Sequence, residues 1–475
     1  MSRMTIVGGG ISGLAVAHRL AAAHEVTVLE AGDRLGGCLK STTLGGHVGV
    51  GLDLGAEASL VRRPETRELA AELGLDLEFP SPHHSSQVLA AGRLQAIPKR
   101  TIMGVPGDPE VVRDLLGDAA TARIAAEVLT PALADPDTSV GEFLAARLGD
   151  DLVDTLVDPL LSGVYAGRCR DLSLAATVPA LLPAAAAGTS VLDLVTALLA
   201  ARDEQAAASD AAAPVFMSLV GGISRLIPAL ESAITAAGGR IRTHSPVTAV
   251  ERRDDGTWTV TTPDGAHTAD TVVLATPAPV TAGLLAEAAP GPARRLRAVP
   301  YASTALVVAL LDLGDGPLTG SGFLVPAAAD TFIKASTFAS NKWPWLADRL
   351  PEGTALIRMS VGRFGDAPGT WQELDDTALR DRAFADWQEI TGRSGDRIIV
   401  SQVQRWDDAL PQYLPGHLGA MADLDADIGT IPGLEVVGST YAGVGIPACL
   451  ARAETVAQRL SRPADHHPTE TKETL

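Results

Sequence analysis

The run Met4-Thr-Ile-Val-Gly-Gly-Gly-Ile-Ser-Gly13 passes from four residues that read as a short buried strand into a turn of closely spaced glycines. Ser12 to Ala23 follows with Leu14, Ala17 and Leu20 on one stripe, the spacing of a helix. Glu25-Val-Thr-Val-Leu-Glu30 then reads as a second strand that closes on a carboxylate. Strand, glycine turn, helix, strand and acid together predict a βαβ unit of the dinucleotide-binding kind. In such a unit Gly8 permits the tight turn, Gly10 lets backbone approach a pyrophosphate, and Gly13 lets helix and strand pack closely. The helix start offers free N–H groups and the positive end of a dipole to phosphate. A carboxylate at Glu30 can hold both ribose hydroxyls and repels a 2′-phosphate, which disfavours NADP.

Just beyond lies Arg34-Leu-Gly-Gly37, which can cradle a second phosphate region. A nicotinamide enzyme would usually continue here into ordinary helix. At roughly 100–200 residues per domain, the 475-residue chain predicts two or three domains. With 46% hydrophobic and 20% charged residues its composition is that of a globular protein, not a disordered one. The formal charge of −19 argues against nonspecific nucleic-acid binding, which needs basic patches. Cys38, Cys169 and Cys449 are too few and too scattered for a disulfide framework or a zinc cluster, and fit a reducing, cytosolic setting. His83-His84 has no third ligand at useful spacing, so no metal is expected. The first apolar run leads straight into glycines, leaving no room for a signal peptide. Leu172 to Ala201 comes nearest to the roughly 20 apolar residues of a membrane span. It is interrupted by Pro179, Pro183, Gly188 and Asp193, and reads as buried helix.

Residues 106 to 213 are helical in pattern, with Ser139 and Glu142 forming a capping box before Phe143, Leu144 and Leu148. Gln205 to Pro214 reads as a loop. A helix over Leu226 to Ile234 follows, then strands at Arg240–Thr243, Val247–Glu251 and Thr257–Thr262, the last two joined by a turn at Asp255-Gly256. Thr271-Val-Val-Leu-Ala275 is a further buried strand, and residues 300 to 405 alternate strands and loops around a helix near Asp375 to Thr391. A late strand at Leu434–Gly438 and a late helix at Cys449–Leu460 precede a polar tail, 463–475, expected to be disordered. The chain therefore reads as α/β. One discontinuous, Rossmann-like cofactor domain comprises 1–80, 215–278 and 407–462. A mixed-sheet substrate domain comprises 81–105 and 279–406, and a helical domain, 106–214, is inserted.

The glycine turn, Glu30, Arg34-Leu-Gly-Gly37 and Thr271-Val-Val-Leu-Ala-Thr-Pro277 resemble the FAD fold (amine-oxidase/PHBH-like) shared by amine oxidases, phytoene desaturases and protoporphyrinogen oxidases. Four further blocks resemble the porphyrinogen oxidases in particular, and fall in that family's order: Leu160-Leu-Ser-Gly-Val-Tyr-Ala-Gly167, Gly322-Phe-Leu-Val-Pro326, Arg405-Trp-Asp-Asp-Ala-Leu-Pro-Gln-Tyr413 and Gly438-Ser-Thr-Tyr-Ala-Gly-Val-Gly-Ile-Pro447. Positions where eukaryotic members carry arginine are matched here by Ser86 and Ser162, which brings the chain closer to the Gram-positive bacterial branch.

The resemblance implies an FAD enzyme that removes six electrons from a porphyrinogen, passing hydride to the flavin, with O2 as acceptor and peroxide as product. Coproporphyrinogen III is the substrate of that branch; protoporphyrinogen IX is the nearest alternative. An amine oxidase, a phytoene desaturase and a flavin-binding sensor without turnover are more distant ones. On this resemblance FAD is held by Gly8, Gly9, Gly10, Ile11, Ser12 and Gly13, by Glu30 and Ala31, and by Arg34, Gly36, Gly37 and Cys38. Gly55, Ala56, Glu57 and Ala58 line the flavin, Val247 meets the adenine, Trp406 packs near the ring, and Val444, Gly445 and Ile446 meet the pyrimidine end. Tyr165, Gly322 and Leu324 flank the macrocycle, with Gly322 giving a flat ring close approach to backbone. Lys99 and Lys334 belong to a basic rim that receives propionates, together with candidates at Arg93, Arg100, Arg168, Arg170 and Lys342. No protein base is required, because pyrrole nitrogens can shed protons to water. The expected setting is cytoplasmic, with at most loose membrane contact and a hand-off of product to a ferrochelatase.

Overall fold

The computed structural model describes residues 1–49, 51–133, 135–208, 214–367 and 369–462, so the polar tail and most of the loop expected before Pro214 lie outside the described residues. Strands Arg3–Val7 and Glu25–Leu29 pair in parallel, Met4 opposite Val26. Thr271–Leu274 pairs on the other side, Met4 opposite Thr271. Arg240–Arg242 and Leu434–Val436 complete a five-stranded parallel sheet in the order 240–242, 25–29, 3–7, 271–274, 434–436. All four residues of Thr271–Leu274 are buried, as a central parallel strand covered on both faces requires.

One face of this sheet carries the helix Ile11–Leu20, packed against Leu226–Ala236 and Ile446–Ser461 through Leu14, Leu20, Leu230, Ile234 and Val456. The other face carries an antiparallel meander, Ala249–Arg252, Trp258–Thr262 and Gly265–Ala269, around a fully buried Trp258. Its third strand escapes a reading by apolar alternation because Gly265-Ala-His-Thr-Ala269 is small, polar and largely exposed. Residues 279–299, expected in the substrate domain, form the helices Ala278–Leu284 and Pro290–Arg297 and pack on the parallel sheet. Ala282, Leu285, Ala293 and Leu296 make a small apolar face that joins Leu274, Leu424 and Leu434 in one core.

A second, seven-stranded sheet runs in the order Arg397–Pro411, Tyr301–Asp312, Thr354–Val361, Ile333–Phe338, Gly322–Leu324, Ser86–Ala90, Arg93–Ala96. Every pair is antiparallel except Gly322–Leu324 with Ser86–Ala90. One face packs Ile357, Met359 and Phe338 on the helix Asp376–Thr391 through Trp387. The register places Thr304, Leu306, Arg358, Ser360, Thr337, Ala335 and Leu324 on the opposite face, with Trp406 across from Thr304. That second face turns toward the 38–60 segment, where Lys40 donates to Gln404 at 2.6 Å and Thr42 to Gln402 at 2.6 Å.

The helical segment closes over the same region. Ser139 Oγ accepts from Glu142 N at 3.1 Å, one half of the anticipated capping box. The apolar stretch from Leu172 to Ala201 is broken into Leu174–Thr177, Leu182–Ala187 and Val191–Ala208, with Gly188 at φ +66° between the last two. The third of these runs into the expected loop as far as Ala208. Among the described residues no helix is long and apolar enough to cross a membrane.

Candidate active site

The three glycines of the first turn have different reasons to be glycine. Gly8 sits at φ +108°, and a Cβ there would lie 2.8 Å from the Ala275 carbonyl oxygen. A Cβ on Gly13 would lie 2.1 Å from the Gly8 carbonyl oxygen. Both are demanded by the protein's own packing. At Gly10 a Cβ would meet nothing within 4 Å, so the space it faces is left open by the chain. The helix starting at Ile11 has no side-chain cap and no acid in its first turn, which leaves its N–H groups and dipole available to an anion.

Glu30 braces this turn. Its Oε2 accepts from Gly9 N at 2.7 Å and its Oε1 from Gly32 N at 2.8 Å, and each oxygen keeps a further lone pair. Ser245 N donates to the Glu30 carbonyl at 2.8 Å, which brings the approach to Val247 alongside the end of the second strand. Gly36 N donates to Gly9 O at 2.8 Å, so the two glycine motifs form one structure. Arg34 is turned to a use that its position alone does not reveal. Its guanidinium donates to the carbonyls of Leu35 at 3.0 Å, Leu39 at 3.2 Å and Gly37 at 2.7 Å, and so shapes the turn. At the far side the helix Ile446–Ser461 begins after Gly445, again with no side-chain cap and no acid in its first turn. Two uncapped helix starts, an open glycine face and a braced carboxylate fit a dinucleotide with an anionic pyrophosphate.

The segment Gly55-Ala-Glu-Ala58 joins this cradle to the second sheet. A Cβ on Gly55 would lie 2.0 Å from the Cys38 carbonyl oxygen and 3.3 Å from the Trp406 ring, while Trp406 Nε1 donates to Leu54 O at 2.8 Å. The Glu57 carboxylate accepts from Lys342 Nζ at 2.5 Å and from Arg358 Nη1. Burial alone would raise the Glu57 carboxyl, but the Lys342 and Arg358 charges outweigh it and hold the group down to about 2. Arg358 also donates to Gly55 O at 2.6 Å. Nearby, Asp53 accepts from Ile223 N at 2.9 Å and Ser224 N at 3.1 Å, and burial lifts its carboxyl to about 6 despite those bonds.

Beyond Arg358 the sheet face is polar but largely uncharged, with Ser360, Thr337 and Ala335 half-buried. Leu324 is half-buried, and the Cβ position of Gly163 lies 3.4 Å from its side chain. Gly163 belongs to the helix Asp158–Tyr165. Val444 packs against the helical cluster beside them. Tyr165 is buried with its ring 5.9 Å from Tyr413, which in turn stacks on His417 at 4.1 Å. Burial pushes the Tyr165 phenol up to about 12.

Two of the expected substrate residues have surroundings that the sequence does not reveal. Gly322, at φ +132°, has a packing reason to be glycine: a Cβ would lie 2.2 Å from the Ser336 carbonyl oxygen in the neighbouring strand. Lys334 is buried, 7% exposed, and donates to Gly362 O at 2.6 Å. Lys99 is exposed. Of the other rim candidates, Arg100 pairs with Asp203 at 2.9 Å, Arg170 with Asp150 and Asp154, and Lys342 with Glu57. Arg358 and Arg363 were missed. A lone arginine within the otherwise apolar or small Thr354-Ala-Leu-Ile-Arg-Met-Ser-Val361 was the available signal, because a buried charge in a strand requires a partner. Arg363, in the loop just after that strand, carried no such signal.

The family model for flavin containing amine oxidoreductases matches residues 11–461. The chain belongs to this family. As a flavin-containing oxidoreductase it takes FAD as its cofactor, which the cradle fits. The oxidoreductase is 37% identical over 466 residues to a protein of Mycobacterium leprae (strain TN) named coproporphyrinogen III oxidase, covering 96% of this chain and 97% of that one. It is 29% identical to the protein of that name from Bacillus subtilis (strain 168), over 94% of this chain and 95% of that one. A crystal structure from Exiguobacterium sp. 255-15, assigned to the protoporphyrinogen oxidases, superposes with a TM-score of 0.83 at 30% identity. That match covers 97% of this chain and 98% of the other.

Proposed function

We propose that this oxidoreductase converts coproporphyrinogen III to coproporphyrin III in haem biosynthesis, using O2 and releasing hydrogen peroxide. The observation that carries the reading is the end-to-end match to the Mycobacterium leprae coproporphyrinogen III oxidase, 96% of one chain against 97% of the other. When bound, FAD supplies the hydride acceptor and the route for electrons to O2. The protein's part is to bind, orient and exclude water. The first helix start and Gly10 hold the pyrophosphate, Glu30 the ribose, and Gly55 to Ala58 with Trp406 the ring system. With FAD bound, the positive dipole end at the start of the helix Ile446–Ser461 would stabilise the negative charge that reduction adds. The face of the second sheet that carries Ser360, Thr337 and Ala335, beside the helix Asp158–Tyr165, receives the tetrapyrrole, with Leu324 and Tyr165 next to it. Protons leave from pyrrole nitrogens to water, and no protein base is assigned.

In this reading the segments 1–80, 215–278 and 407–462 hold the cofactor, the seven-stranded sheet faces the substrate, and the inserted helices cover it. The protein works in the cytoplasm with at most loose membrane contact and passes its product to a ferrochelatase. Protoporphyrinogen IX oxidation is the second reading, favoured by the match to the Exiguobacterium structure.

The test is to purify the protein, record the blue-light absorption of bound flavin, and supply coproporphyrinogen III and protoporphyrinogen IX separately. Faster growth of porphyrin fluorescence with the first supports the proposal. Faster growth with the second supports the alternative, and flavin absorption without either product overturns both.

A further inference from the structure

A second charged cluster lies where the end of the helix Asp158–Tyr165 meets the second sheet. Phe364 N donates to Ala166 O at 2.6 Å, which fastens the loop after the strand Thr354–Val361 to that helix end. In this junction Arg363 donates through Nη2 to Val325 O at 2.8 Å, one residue beyond Leu324. Its Nε is buried with no hydrogen-bond partner among the described residues. Lys334, on the strand Ile333–Phe338, is buried close enough for the two cations to repel, and its ammonium has a single hydrogen bond, to Gly362 O.

The carboxylates in reach are engaged elsewhere. Asp366 accepts from Arg168 Nη2 at 2.9 Å and from the Arg363 backbone N–H at 2.8 Å. Asp158 accepts from Cys169 N at 2.7 Å. Among the described residues no carboxylate pairs directly with the Arg363 guanidinium or the Lys334 ammonium. When Lys334 carries its proton, three cations face two carboxylates. Ser162 lies one helical turn beyond Asp158, on the same face of its helix, and its Oγ is buried with no partner. Unused buried donors are costly unless something accepts from them.

We propose that Arg363, Lys334 and Ser162 form a carboxylate-binding subsite that takes one propionate of the tetrapyrrole. The identity of the substrate rests on the function proposed above; the carboxylate chemistry rests on the cluster itself. A carboxylate brings two acceptor oxygens and one negative charge, which answers both the unused donors and the surplus cation. Arg363 is the anchor because it is only half-buried, whereas Lys334 is buried and already donates to Gly362 O.

The experiment measures binding of coproporphyrin III and of its tetramethyl ester to the FAD-loaded protein by porphyrin fluorescence. It compares the wild type with Arg363→Gln, Arg363→Lys and Ser162→Ala. Wild type is expected to prefer the free acid. Arg363→Gln should weaken acid binding roughly tenfold or more, with ester binding within about twofold, as loss of a charged hydrogen bond requires. Arg363→Lys should recover most of the loss. Ser162→Ala, which removes a hydroxyl with no partner and so spares the fold, should weaken the acid selectively. A purely structural latch would change thermal stability and leave the acid-to-ester ratio untouched, and that result overturns the subsite. Equal wild-type affinity for acid and ester overturns it as well. Preferential binding of the acid by a holoenzyme that oxidises no porphyrinogen would overturn the function and leave the subsite standing.

Discussion

Arg358 crosses from the seven-stranded sheet to the carboxylate of Glu57, and the same guanidinium donates to Gly55 O at 2.6 Å. One side chain thereby ties the seven-stranded sheet to the Gly55–Ala58 loop. Lys342 completes the unit from the other side at 2.5 Å. Removing the shared carboxylate leaves two largely buried cations without their counter-charge. Glu57→Ala is therefore expected to lose about 3–5 kcal/mol of stability, read from denaturant unfolding, and to release FAD more readily.

The same carboxylate sets an acid limit. Its folded-state value lies near 2, below the ordinary 4.5, so its contribution is full above about pH 4.5 and is lost as pH falls toward 2. A shift of that size corresponds to about 3 kcal/mol shared across the triad. Unfolding followed from pH 7 to pH 3 should show the stability gap between wild type and Glu57→Gln narrowing below pH 4.5. A gap that stays constant would remove Glu57 from the account of acid sensitivity.

Gly10 and Gly13 separate cofactor binding from folding. A Cβ at Gly10 meets nothing within 4 Å, whereas at Gly13 it meets Gly8 O at 2.1 Å. Gly10→Ala should melt like wild type when stripped of flavin yet retain roughly tenfold less FAD, since the methyl group occupies the phosphate approach. Gly13→Ala should destabilise the protein with or without FAD. Flavin content and melting of the stripped protein distinguish the two.

Gly322→Ala should act on the sheet and not on the substrate. Its Cβ would press on Ser336 O at 2.2 Å in a backbone conformation strained for any side chain. A loss of more than about 2 kcal/mol is expected in unfolding, with little change in the Michaelis constant of whatever folds.

Much of this site is legible in the chain because it is local. Gly8 to Gly13, Glu30 and the buried run Thr271–Leu274 each carry their signal within a few residues, and the parallel sheet follows from them. The partnership of Glu57 with Arg358 spans 301 positions and depends on antiparallel register that no local pattern records. The burial of Lys334 escaped the sequence for the same reason: a lysine in Ile333-Lys-Ala-Ser-Thr-Phe338 carries no local sign that it is covered and bonded to Gly362 O. Gly322 shows the converse, a glycine whose reason lies in the next strand.

Burial and the neighbouring Arg363 charge hold Lys334 down to about 7, against a small opposing pull from Asp366. Below pH 7 it is cationic and favours a bound carboxylate; as pH rises through 7 it becomes neutral and that help is lost. The Michaelis constant for coproporphyrinogen III should therefore rise between pH 6.5 and 8.5, and Lys334→Met should flatten that rise.

The most direct measurement pairs porphyrin formed with peroxide released when the yellow holoenzyme is given coproporphyrinogen III in air. Removal of six electrons predicts three molecules of peroxide for each coproporphyrin III, at a rate exceeding that with protoporphyrinogen IX. Protein purified without flavin, or flavin-loaded protein that leaves coproporphyrinogen III to oxidise no faster than in buffer, would contradict the account.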